Sequence, residues 1–411
     1  MPVNIRSCNP FLKSLLILFL NIAFFHSTNK LSAQPAPDVK VVPVIELNGS
    51  GYQRGLQHGK QLKNEIAAVF GKFKTNIRRS TGKNPDSVLS SFIAATNFEP
   101  ITRQYIPAIL EELKGIADGS GQTYHDVYAF QLVDEFWIYL DKLSNINNHH
   151  CSGIGVSANG ASPAYIAQNM DLENYMHGFQ VLLHLAPTAD EPEQYIVTCA
   201  GLVALAGMNA RGIALCMNTL MELSASEDGL PVAFIIRNVL SKQNGEEAAQ
   251  FLTTVKHASG QNYILGIADS VYDYEASAGQ VIRYLPNPGV NSLVYHTNHA
   301  LVNHDVKPWF RQYHEQVLAG ATNTRNSEIR FASLQQRLNP QQLSISPDVI
   351  KATLRSKDNS RNPVCRTYRE GGGGFTFSSI LFTLGGQRSV QLTYGSPDQS
   401  EYSEYFFKPL K

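Results

Sequence analysis

The sequence predicts an α+β fold in which helices cover stacked β-sheets. Three observations lead there. The first 150 residues read mostly as helix, short β-type runs begin at Cys151, and groups of helices and strands then alternate to the C-terminus. Strands grouped between helical groups belong to layered domains, because each element has to bury one apolar face against a neighbouring layer. With 411 residues, 43% of them hydrophobic, the chain can build one large domain or two ordinary ones.

At the N-terminus, Arg6 and Lys13 precede an apolar run from Leu15 to Phe25, and small and polar residues follow up to Ala33. Residues 1–33 therefore read as a secretory signal peptide. The run is short for a bilayer and Asn21 interrupts it, so the expectation is an exported protein, periplasmic or extracellular, with no membrane attachment once the signal is removed. Lys plus Arg and Asp plus Glu number 34 each, so no net field draws the chain to nucleic acid or anionic lipid. A small molecule is the expected partner. The oligomeric state is not legible.

"VKVVPVIEL" at 39–47 reads as a strand, and "GSGYQRGLQHGKQL" as a glycine-spaced turn opening a helix. Leu62, Ile66, Phe70, Phe73 and Ile77 recur at helical spacing. A second helix runs from Ile106 to Ala117 and ends at "DGSG", whose glycines suit a left-handed cap. A third spans "YHDVYAFQLVDEFWIYLDKL". From Cys151 onward, "CSGIGVSA", "PAYIAQNMD", "GFQVLLHLAPT", "EQYIVTCAG", "VALAGMN" and "GIALCMN" are β-type runs separated by Gly, Asn or Pro. Helical periodicity returns over "PVAFIIRNVLSK" and "EEAAQFLTTVK", strands over "NYILGIADS", "VYDYEAS", "QVIRYLP" and "SLVYHTN", and helices near 327–338 and 346–357. "GFTFSSILFTL" and "SVQLTYG" close the chain as strands. "GGGG" at 371–374 lacks the Lys-Ser/Thr of a phosphate loop and reads as a turn.

Removal of the leader leaves Cys151, Cys199, Cys216 and Cys365, too few for a disulfide scaffold in a chain of this size. Cys199 and Cys216 sit in apolar runs as small buried hydrophobes. Cys151 differs, standing between the polar, turn-prone "SNINNHH" and a strand that enters the core. A thiol becomes nucleophilic when a base removes its proton. That base is either a histidine or, at a chain terminus, the residue's own α-amine, with an ordinary pKa of roughly 7.7 to 8.0. The second arrangement requires scission between 150 and 151. The junction permits it, since the thiol can attack the preceding carbonyl. His149 and His150 do not suggest metal, because adjacent side chains on extended backbone point in opposite directions.

Several stretches, taken in order, resemble the N-terminal-nucleophile acyltransferases and hydrolases related to isopenicillin N acyltransferase, peptidase family C45. They are "GYQRGLQHG", "ILEELKGIADGSG", the Cys151 strand with "QNMD", "GMNARGIAL", "HTNH" and "PVCR". The resemblance implies a four-layer αββα sandwich and an N-terminal chain of 34–150 split by autoproteolysis from a catalytic chain of 151–411. It implies Cys151 as nucleophile, Asp171 beside it near the amine or an arginine, Asn298 as an oxyanion donor and Arg366 as an organising cation. His150 stands where the best-known member has glycine. The implied reaction is cleavage of a linear amide, an N-acyl amide or a short peptide-like one, through a thioester, with hydrolysis or transfer to follow and no metal or organic cofactor. Two other readings stay open: a Cys–His hydrolase in which His299 or another histidine activates Cys151 without self-cleavage, and a non-catalytic exported binding protein of the same fold.

Overall fold

Alternating apolar residues after Pro43 build β1 (Val44–Leu47), and Ser50 then caps α1 (Gly51–Gln61). The Ser50 hydroxyl accepts the Gln53 N–H while the Gln53 side chain accepts the Ser50 N–H at 2.8 Å, so two orphan donors are satisfied reciprocally. The computed structural model describes residues 40–144, 150–160, 162–286, 293–308, 310, 326–339 and 345–408. The expected leader, 1–33, lies outside them.

The apolar stripe from Ile66 to Ile77 forms the buried face of α2 (Lys63–Thr81), which stops at Gly82 in the left-handed region. Two helices that the hydrophobic pattern left unread follow, α3 (Pro85–Ala94), capped by Asn84, and α4 (Glu99–Tyr105). The expected second helix is α5 (Pro107–Ser120), ending at Gly121 with φ 74. The single helix expected over 124–143 is two, α6 (Tyr124–Gln131) and α7 (Val133–Ser144). The break at Leu132 has a tertiary cause. Gln131 turns its amide onto the backbone of Gly201 and Val203, at 2.8 and 2.9 Å, and so ties the helices to a strand connection.

The chain after Cys151 supplies β2 (Ser152–Val156), β3 (Tyr165–Glu173), β4 (Gln180–Leu185), β5 (Gln194–Cys199), β6 (Ala206–Asn209) and β7 (Ile213–Thr219). Next come α8 (Val232–Leu240), α9 (Gly245–Thr254), β8 (Gln261–Ile267), β9 (Ser270–Ala276), β10 (Val281–Tyr284) and β11 (Leu293–His296). After α10 (Asn326–Arg337) and α11 (Pro347–Leu354), the chain closes with β12 (Gly374–Thr383), β13 (Ser389–Thr393) and β14 (Tyr402–Phe406). The last strand was not anticipated, because "YSEYF" is mostly polar and only half-buried or exposed along an edge.

Two sheets result. One runs β1-β4-β5-β6-β7-β8-β9-β10 and the other β11-β2-β3-β12-β13-β14, with only β1 and β4 parallel among the described pairs. The N-terminal segment thus contributes an edge strand to a sheet otherwise built after Cys151. Inward faces meet where β2 has glycines: a Cβ on Gly153 would come within 2.7 Å of Ile264, and one on Gly155 within 2.9 Å of the same side chain. The outer face of the six-stranded sheet is covered by α10 and α11, through a cluster containing Ile154, Tyr295, Leu334, Ile350 and Leu381. Helices led by α8 cover the other sheet, Leu240 filling the space above Gly207. The layers are therefore α, β, β, α.

The glycines of "GYQRGLQHG" have a packing reason. Gly51, Gly55 and Gly59 on α1 face Gly115 and Gly119 on α5, backbone against backbone, and a Cβ on Gly55 would collide with the Glu112 carbonyl oxygen. Glu112 in turn makes a buried two-pronged ion pair with Arg237 of α8, at 2.7 and 2.8 Å. Gly55→Ala is expected to destabilise the protein by about 1–3 kcal/mol or more, the cost of overpacking, measurable as a lower denaturant midpoint at unchanged slope.

Candidate active site

Cys151 directly precedes β2 and is 7% exposed. Ser152 pairs with Asn169 across the β2–β3 hairpin, which brings β3 alongside, and the Cys151 Sγ donates weakly to the Asp171 carbonyl at 3.8 Å. The segment between the strands, closed by the Asn159–Ser162 bridge, takes up the sequence interval between the two residues.

The centre of the site is Arg330, which the sequence did not single out. It is fully buried on the inner side of α10 and serves four acceptors. Nη1 donates to the Cys151 carbonyl and, at 3.0 Å, to Ser152 Oγ. Nη2 reaches Asn298 Oδ1 at 3.1 Å, and Nε reaches Asn326 Oδ1 at 2.8 Å. Asn326 Oδ1 also lies 2.8 Å from His150 Nδ1, so the residues on both sides of the 150–151 bond are held through one network.

Asn298 follows β11 in a turn fixed from behind. Glu275 accepts the backbone N–H groups of Leu301, Val302 and Asn303 and pairs with His296 at 2.8 Å. The Asn298 amide nitrogen donates one hydrogen to the Thr219 carbonyl at 3.0 Å, which leaves its second N–H for another acceptor. Asp171 and Arg366 are joined through Thr376: the Thr376 hydroxyl donates to Asp171 Oδ1 at 2.7 Å and accepts the Arg366 N–H at 2.9 Å. The structure thus brings Cys151, Asp171, Asn298 and Arg366 around one point. His299 is turned to Ser327 Oγ, 2.8 Å away, and among the described residues the thiol's hydrogen bond goes to a carbonyl, not to an imidazole. Cys151, Cys199, Cys216 and Cys365 are all free and buried.

Electrostatics follow from burial. The Cys151 thiol is pushed up to about 12 by desolvation and by the Asp171 carboxylate, with Arg330 opposing. Asp171 is raised to about 6, chiefly by burial, against the pull of Arg366 and Thr376. Burial also lowers Arg330 to about 10. A largely enclosed pocket opens beside the thiol between Val133, Asp134 and Trp137 of α7, Met170 to Glu173 of β3, Leu205 just before β6, and Met217 and Thr219 of β7. In it, burial raises Asp134 to about 7 and Glu173 to about 8. Neither carboxylate was singled out from sequence, although the acidic pair Asp134–Glu135 inside an apolar helix is the kind of signal that marks a site.

A family model described as acyl-coenzyme A:6-aminopenicillanic acid acyl-transferase matches residues 158–399, a span that holds Asp171, Asn298 and Arg366 and begins just after Cys151. The chain belongs to the acyl-coenzyme A:6-aminopenicillanic acid acyl-transferase family. Its members include the 40 kDa form of acyl-coenzyme A:6-aminopenicillanic-acid-acyltransferase from Emericella nidulans, 23% identical over 370 residues, which are 87% of this chain and 94% of that protein. Among solved structures, a Caenorhabditis elegans ortholog of N-acylethanolamine-hydrolyzing acid amidase overlaps with a TM-score of 0.38 at 15% identity, covering 57% of this chain and 93% of the other. Penicillin V acylase from Agrobacterium tumefaciens gives 0.35 at 16% identity, covering 59% and 82%.

Two outcomes follow from the site. Arg330→Met leaves several buried acceptors without a donor, each costing about 1–3 kcal/mol. A loss of about 3 kcal/mol or more is expected in denaturant unfolding, and Arg330→Lys rescues little because an ammonium cannot reproduce the planar fork. The second concerns pH. Asp134, Asp171 and Glu173, with Asp273 and Glu222 at about 7 each, all hold protons in the folded state that the unfolded chain has already released near pH 4. Their contribution favours the fold at low pH and is lost as pH rises through their folded values, so Tm is expected to fall between about pH 5 and pH 8. Scanning calorimetry across that range checks it.

Proposed function

We propose that the chain is an exported, self-cleaving cysteine amidohydrolase or acyltransferase whose nucleophile, Cys151, becomes N-terminal. The observation that carries the proposal is the setting of the thiol. In the unbroken chain it is buried, raised to about 12, and bonded to a carbonyl, so among the described residues no base is bonded to it. Scission at 150–151 supplies one. The Cys151 sulfur attacks the His150 carbonyl, the C–N bond breaks as the nitrogen takes up a proton, and water hydrolyses the resulting thioester, which leaves a carboxylate at His150 and a free amine and thiol on Cys151. The new amine, while neutral, takes the thiol's proton, and the ammonium that results stabilises the thiolate.

In turnover the thiolate adds to the substrate's amide carbonyl. Asn298 offers its second N–H to the developing oxyanion, the Cys151 amine returns the proton to the leaving nitrogen, and a thioester acyl-enzyme remains. Water, deprotonated by the same amine, or an acceptor amine releases the acyl group. Asp171 and Arg366, of opposite charge, orient the amine without leaving a large net charge in the site. Arg330 holds the Cys151 carbonyl, and with it the direction of the reacting sulfur. The N-acyl amide relatives named above support a linear amide as substrate, and the leader supports export with cleavage near Ala33.

Mass spectrometry and N-terminal sequencing of the mature protein are expected to show a chain beginning "CSGIGV". Cys151→Ala is expected to remain one chain without activity on a panel of acyl amides, and Asn298→Ala to lower kcat by roughly 10² to 10³. An active enzyme purified as one unbroken chain would overturn self-activation, and full activity in Cys151→Ala would overturn the nucleophile itself.

A further inference from the structure

The pocket beside Cys151 carries more charge than its chemistry needs. Asp171 is accounted for by Thr376 and Arg366. Asp134, helped by the Thr219 hydroxyl, and Glu173, facing Tyr175 and Trp137, have no cation among the causes of their shifts. Asp134 is 8% exposed on α7, and its Oδ2 finds no hydrogen-bond partner among the described residues. The Trp137 indole, one helical turn away on the same face and 6% exposed, also lines the pocket. The indole N–H and the Tyr175 hydroxyl face Glu173 and keep its raised value from going higher still. The remaining walls are apolar: Val133, Met170, Leu172, Met176, Leu205 and Met217.

Two carboxylates in an apolar, largely enclosed pocket repel each other, and each is costly to ionise alone. Burial raises both, to about 7 and about 8, so neither ionises readily at neutral pH. An arriving cation removes both penalties. Among the described residues no group of three His, Cys, Asp or Glu is arranged to hold a metal ion, so an organic cation fits the donor set better than a metal. A leaving amine has to escape to solvent, whereas the acyl group stays on the sulfur. The enclosed side of the site therefore belongs to the acyl group.

We propose that this pocket is a subsite for an ammonium group: the acyl part of the substrate carries a protonated amine that docks between Asp134 and Glu173, with a short carbon chain along the methionine and leucine walls. The assignment rests on Cys151 as nucleophile. The free space in the pocket is about 30 Å³, room for one or two waters, which favours short chains.

The test uses the matured enzyme and two substrate series: ω-aminoacyl anilides of two to four carbons, and matching acyl anilides in which a methyl replaces the ammonium. The expected wild-type preference in kcat/KM for the amino series is roughly 100-fold, since a site built for a polar group discriminates strongly against the analogue without it. Asp134→Asn and Glu173→Gln are each expected to shrink that ratio at least about tenfold. If Asp134→Asn yields no soluble protein, Glu173→Gln, at the half-buried edge, carries the test, with conversion to a chain beginning at Cys151 as the sign of a folded site. Equal turnover of the two series, turnover of neither by matured enzyme, or a ratio unchanged in the variants while both rates fall would each overturn the ammonium subsite. Full turnover by Cys151→Ala would instead overturn the nucleophile assignment, and the two failures are thereby told apart.

Discussion

One guanidinium ties together segments that are far apart in the chain. Arg330 reaches the residue before β2, its neighbour Ser152, the turn carrying Asn298 and its own helix through Asn326. A charge buried this completely is tolerable only because every arm finds an oxygen and because Asp171 lies near enough to stabilise it. The consequence is geometric. The position of the Cys151 backbone is set by α10, and so is the position of Asn298, so the proposed nucleophile and the proposed oxyanion donor share one reference point. Precise mutual placement of reacting groups is worth more to catalysis than any single contact.

The layered fold was legible because its signals are local. Apolar stripes at helical spacing marked α2 and α5, and Gly, Asn and Pro punctuated the strands from β2 to β9. What escaped was decided by tertiary contact. The helix expected over 124–143 splits after Gln131, whose side chain bonds the backbone of Gly201 and Val203, some 70 residues away. Strand β14 escaped because an edge strand with polar, half-exposed residues has no apolar alternation to read. The glycines of α1 and α5 were visible as spacing, but their meaning, two helices in backbone contact, appears only when both are seen together.

For the site, the residues that stand next to turn or strand signals were recoverable: Cys151 at a loop-to-strand junction, Asp171 near the end of β3, Asn298 after β11, Arg366 before β12. The residues that organise them were not. Arg330 sits in "NSEIRFASLQQR", where an arginine on a polar helix reads as solvent-facing, and nothing in that pattern announces that it is fully buried. Thr376, the link between Asp171 and Arg366, is an ordinary strand threonine until the β3–β12 pairing places it opposite Asp171. The candidate site was thus partly written in types and order, while its support lay in pairings between distant segments.

The edge strand β1 has a consequence for the life of the molecule. It lies in the sheet beside β4, and Glu112 of the N-terminal helices is locked to Arg237 of α8. A cut at 150–151 would therefore not release two pieces. It would turn a unimolecular folding problem into a bimolecular one, since the two fragments, once unfolded and diluted, would have to find each other again. A protein built this way would persist through the height of its unfolding barrier more than through its ability to refold.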